Sequence, residues 1–201
     1  MTIVESLREA IIKEQRRREA SARTNLVALI ERGDGQTAAE NLLFFTAPDA
    51  FLPCLEELRQ DIRHRFSSAD EAVQERTLRF LADLTLGLRS FPPRWNLQNA
   101  DRHGDAALTD AQVKAEADQV QALTVELAAQ APAVAGKLLA QRRLETAARL
   151  KAENAPDPQG EAQALVGNSV GDYLTAISAE LAHSNLRRIA EMHLAGQTWT
   201  E

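Results

Sequence analysis

The sequence predicts an all-α protein, an antiparallel bundle of about six to seven helices. Three observations predict it. Ala, Leu, Glu, Gln and Arg dominate, while aromatic residues make up only 4%; strands draw on aromatic and β-branched residues. Four Ser/Thr-x-x-Glu/Gln patterns mark helix starts, because the hydroxyl and the later carboxylate or amide satisfy orphan backbone N–H groups. Apolar residues recur at spacings of three and four, and no stretch shows the alternation of a half-buried strand.

The first helix is predicted over 3–32, opened by the Thr2–Glu5 box. Val4, Leu7 and Ile11 lie before, and Leu26, Leu29 and Ile30 after, a run without apolar residues, KEQRRRE at 13–19. The middle of that helix therefore faces solvent or a polar surface. Gly33-Asp34-Gly35 ends it. The Thr37–Glu40 box opens a short helix over about 38–46.

Thr46-Ala-Pro-Asp49 starts the next helix, 48–66, since proline is tolerated in a first turn. Its apolar face is Phe51, Leu55, Leu58, Ile62 and Phe66. The Ser68–Glu71 box precedes a helix over 69–90 with Val73, Phe80, Leu84, Leu88 and Phe91 on its apolar side. A long irregular stretch, FPPRWNLQNADRHGDAAL, follows at 91–108. Thr109–Gln112 then caps a helix over 110–130, with Pro132 kinking or dividing it from a continuation to 153. The stripe Val113, Ala117, Val120, Thr124, Leu127, Ala131, Val134, Leu138 keeps a 4–3 spacing, the period of helices packed at a shallow angle.

NAPDPQG at 154–160 reads as a linker. It separates a main bundle, 1–153, from a C-terminal helical segment, 161–201, that packs on the bundle or on a partner. The last helix, to about 195, is interrupted near Gly167 or Gly171, and Gly196 closes it. Its stripe Val170, Leu174, Ile177, Leu181 points one way. Leu186, Ile189 and His193 point about 100–180° away from it, as in a helix bridging two surfaces.

Composition excludes several functional classes. Cys54 is the one cysteine, so no intrachain disulfide forms. The N-terminus has no apolar run long enough for a signal peptide, and no stretch has the length of a membrane helix. The expectation is a cytoplasmic protein without membrane association. With a net charge of −6, no whole-molecule attraction to nucleic acid is expected.

RQDIRHRF at 59–66 carries the sharpest chemical pattern. Arg59 and His64 in an Arg-x4-His spacing resemble the signature of HEPN-type ribonucleases, an all-α family. The resemblance implies RNA cleavage, with Arg59 and His64 near the scissile phosphate and the site completed by dimerisation. Arginine neutralises phosphate charge and histidine moves a proton near neutral pH. Helix geometry gives a competing reading. With Leu55 and Ile62 buried, His64 faces water, and Arg59 lies at the core margin about 140° away. His64 is then a solvated side chain, and Arg59 lays its stem over apolar surface.

A metal reading rests on Asp61-Ile-Arg-His64 and Glu180-Leu-Ala-His183, each with a carboxylate three residues before a histidine, as in di-iron bundles. Asp61 and His64 face away from the apolar stripe, so neither a metal nor a cofactor is expected. Arg16-Arg17-Arg18, Arg142-Arg143 and Arg187-Arg188 are candidate phosphate contacts. Acidic neighbours and the scarcity of aromatic residues favour solvated helix faces instead. Gly33-Asp34-Gly35 and Gly167 with Gly171 lack the strand and lysine of a phosphate loop. Cys54 reads as a small residue of the core or its margin.

The segment 91–108 concentrates Arg94, Trp95, Asn96, Arg102 and His103. Long loops tend to be functional, and Trp and Arg are common interface anchors. The sequence therefore points to a non-catalytic interaction, adaptor or assembly protein with a protein partner or self-association. Arg94, Trp95, Leu186, Ile189 and His193 are the expected contact residues. The alternatives are a HEPN-like ribonuclease or toxin-type enzyme using Arg59 and His64, and, more weakly, a nucleic-acid-binding regulator.

Overall fold

A computed structural model describes residues 26–45, 48–90 and 108–181, which form helices and no strand. In chain order these are α1 (26–32), α2 (Gly35–Phe45), α3 (Pro48–Phe66), α4 (Glu71–Arg89), α5 (Asp110–Gln130), α6 (Pro132–Ala152), α7 (Pro158–Val166) and α8 (170–181). They pack as a helical bundle. The long stretch 91–107 and the Thr2–Glu5 box lie outside the described residues.

Cap chemistry sets the boundaries. Gly33, at φ 68°, closes α1: its N–H bonds Ile30 O at 2.9 Å, and the Asp34 N–H bonds Leu29 O at 2.9 Å. Left-handed backbone of this kind favours glycine at a helix C-terminus. Asp34 then caps α2, its carboxylate accepting from the Thr37 N–H at 3.0 Å. The cap is thus Asp34, and Thr37 lies inside the helix. Similarly α4 is capped by Asp70, which accepts from the Val73 N–H at 2.8 Å. Ser68 instead closes α3, donating to Arg65 O at 3.0 Å. Each aspartate immediately precedes its helix and accepts from the N–H three residues on, the offset of the boxes expected there. Thr109–Gln112 forms the reciprocal capping box predicted for α5.

Pro132 divides the helices. Ala131 takes φ −129° and ψ 66° between α5 and α6, as a residue before proline is driven out of the α region. The apolar stripe nevertheless continues across the break, with Leu127, Ala131, Val134 and Leu138 all buried. α6 ends at Ala152 with Glu153 as its cap, and Asn154 follows at φ 60°. α7 starts at Pro158, inside the stretch expected to be linker, under the Asp157 cap. Gly167, at φ 65° and ψ −158°, separates α7 from α8 in a region open almost only to glycine.

α4 is the central helix and packs against α2, α3, α5 and α6. Ten of its residues between Thr77 and Leu88 are buried, Leu78, Phe80, Leu81, Ala82 and Leu84 completely. The α2–α4 approach is close. A Cβ on Gly35 would collide with the Phe80 carbonyl and the Leu84 amide nitrogen, and one on Gly87 would lie 2.5 Å from the Ala39 Cβ. The predicted faces of α3 and α5 are buried throughout. One predicted core residue of α4 is not: Val73 is 37% exposed. Leu26 and Leu29 share one apolar core with Val166, Val170 and Leu174, so both ends of the described chain close on it.

Candidate functional site

In RQDIRHRF, Arg59 goes deeper than its place in the helix pattern suggests. It is buried, at 6% exposure, and so is Glu116 of α5, at 7%. Arg59 Nη1 donates to Glu116 Oε2, and Nη2 donates to Glu56 Oε2 at 2.5 Å. The Arg59 guanidinium, with the Gln60 amide beside it, holds the Glu56 carboxyl below its usual range. Glu116 was legible only as a carboxylate beside the Val113–Ala117–Val120 stripe. Its pairing with an arginine at the margin of α3 depends on how the two helices meet. His64 is exposed, as the helix pattern predicts. The next arginine, Arg63, pairs with Glu126 of α5 at 3.1 Å. A phosphate approaching Arg59 would have to displace two carboxylates, because both terminal nitrogens are engaged.

Arg142 and Arg143, read as candidate phosphate contacts, turn inward. Arg142 donates to Asp83 of α4 and, at 2.8 Å, to Glu145. Arg143 donates to the carbonyl of Gly167, bracing the α7–α8 break. Around Arg142, Arg79 donates to Gln141, whose amide donates to Glu145 at 2.8 Å. Burial raises the Asp83 carboxyl above its ordinary range against the pull of Arg142. Burial alone would lower Arg142; the Asp83 and Glu145 carboxylates beside it outweigh burial and raise it. Burial also raises the Tyr173 phenol. This network joins α4 to α6 with its charges balanced internally.

No three His, Cys, Asp or Glu side chains gather to hold a metal among the described residues. Asp61 is half-buried and His64 exposed. Glu180 pairs with Arg149 at 2.7 Å, and His183 lies outside the described residues. Cys54 is half-buried against the core.

Among the described residues, an apolar groove of about 180 Å³ between α1, α3 and α4 has room for another molecule's side chains. Leu58, Ile62 and Phe66 of α3 form its floor. Val27 and Ile30 of α1 stand on one side, and Ala69 of the α3–α4 turn with Val73 and Thr77 of α4 on the other. Glu31, Asp61 and Arg65 supply its few charges. Val27 is 48% exposed, so apolar surface continues beyond the groove. The exposure of Val73, at a position whose spacing fits the core of α4, is a departure that sequence periodicity carried no sign of.

Arg94, Trp95, Leu186, Ile189 and His193 lie outside the described residues, as do Arg16–Arg18 and Arg187-Arg188. No protein-family model matches the chain, and no curated protein or solved structure matches it.

Proposed function

We propose that this chain is a non-catalytic helical interaction or assembly protein that receives the apolar row of a partner helix in the α1–α3–α4 groove. The groove carries the reading. Helix-in-groove recognition needs an apolar trough that accepts side chains at helical spacing, and this trough has an apolar floor with charges at its edges. The chemistry elsewhere is consistent with it. Arg59, Arg142 and Arg143 are bonded to protein groups rather than presented to a substrate.

The reading takes the protein to be cytoplasmic. No helix among the described residues is long and apolar enough to cross a membrane. A second copy of the chain is the simplest partner, and the sequence separately proposes Arg94, Trp95, Leu186, Ile189 and His193 as contact residues.

Light scattering on the purified full chain tests the self-associating form. Val27→Asp with Val73→Asp, both exposed in the single chain, should shift an oligomer to monomer without loss of helix content. An oligomer unaffected by that pair, and equally unaffected by Leu186→Asp with Ile189→Asp, would count against this surface.

A further inference from the structure

We infer that the outer half of α8, residues 175–181, is a releasable strap hinged on the first turn of the same helix. The first turn is fixed. Val170, Tyr173 and Leu174 are buried at 3%, 4% and 0% exposure. The Ser169 hydroxyl caps the helix by accepting from the Asp172 N–H at 3.0 Å, and Arg143 braces the preceding turn at Gly167.

Beyond Leu174 the attachment changes character. Ile177 and Leu181 are only partly buried against the core. Arg89 of α4 reaches Ser178 at 3.2 Å, and Arg149 of α6 reaches Glu180 at 2.7 Å. Each link is duplicated elsewhere. Arg89 also holds Asp118 at 2.5 Å, Arg149 also holds Glu153 at 3.4 Å, and the Ser178 hydroxyl already donates to Leu174 O at 2.5 Å.

Lifting residues 175–181 therefore leaves neither arginine without a carboxylate. Partly exposed ion pairs are weak and screened by salt, and segments with few buried contacts open locally below the global unfolding energy. The same motion uncovers the apolar surface beneath Ile177 and Leu181, on the side of the bundle formed by α4 and α6. This inference does not depend on the α1–α3–α4 groove.

Hydrogen exchange on the full chain, read by mass spectrometry at low and high salt, tests it. Amides of 175–181 should exchange at least about tenfold faster than those of α5, and faster again in high salt. Glu180→Gln should accelerate them by about two- to fivefold while exchange in α4 and α5 and the unfolding midpoint stay unchanged. Protection of 175–181 equal to that of α5, or an equal rise in every helix on Glu180→Gln, would make α8 an integral part of the core and overturn the inference.

Discussion

Arg59 of α3 and Glu116 of α5, 57 residues apart in sequence, form an ion pair buried between the two helices. Without Arg59, Glu116 would be a buried carboxylate held only by the Gln119 amide, whereas Arg59 without Glu116 keeps Glu56. Arg59→Ala should cost about 3–5 kcal/mol and Glu116→Ala less, because Arg59 keeps Glu56, whereas Arg59→Met with Glu116→Leu should come close to neutral. Urea unfolding of the three variants measures this. A cost below about 1 kcal/mol for Arg59→Ala would mean a solvated, exchangeable pair. His64→Ala, at an exposed position, should stay within about 0.5 kcal/mol of the parent.

Helix class and most helix faces were legible because they depend on local chemistry. The stripe from Val113 to Leu138 and the Thr109–Gln112 box were read from spacing alone. Other features depend on a neighbour. Periodicity puts Val73 on the core side of α4, yet it borders an open groove because no helix among the described residues covers that turn. Arg142 and Arg143 look like a basic pair until Asp83 and the Gly167 carbonyl, 59 and 24 residues away, are brought to them. At Asp34 and Asp70 the miss was local: aspartate is as good an N-cap as serine or threonine, and each displaced the hydroxyl expected to cap.

Asp83 gives the stability a pH dependence with a defined sign. Burial places its folded-state pKa above the unfolded value, so the native state holds that proton more tightly. Its contribution favours the fold at low pH and declines as pH rises from about 3.9, the unfolded value, to the folded one. Urea unfolding followed across that window should show this decline, and Asp83→Asn should flatten it. A parent whose Asp83 contribution instead grew with pH would mean that Arg142 dominates burial and lowers the carboxyl.

The glycines divide by what lies over them. Gly35→Ala drives a methyl into the backbone of α4, and Gly87→Ala drives one into Ala39; each should destabilise by about 1–3 kcal/mol. Gly136 has nothing within 4 Å of a built Cβ and sits inside α6. Gly136→Ala should stabilise by about 0.5–1 kcal/mol. Thermal unfolding separates the three, and a destabilising Gly136→Ala would show that another surface meets α6 there.

Capping chemistry provides an independent check on α5. Thr109→Ala removes the hydroxyl that accepts from the Gln112 N–H at 3.2 Å and should cost about 1 kcal/mol. Thr37→Ala removes a hydroxyl from a position that does not cap α2 and should cost less. Equal costs at the two sites, measured by urea unfolding, would return the cap of α2 to Thr37.

Affinity isolation of the tagged full chain from native lysate, with protein and nucleic acid both identified, is the most direct test of an interaction role. The proposed function predicts a stoichiometric protein, either a second copy or a distinct chain, that is lost from Val27→Asp with Val73→Asp while helix content is kept. RNA retained by His64→Ala and cut by the parent would contradict it and make RQDIRHRF the active segment.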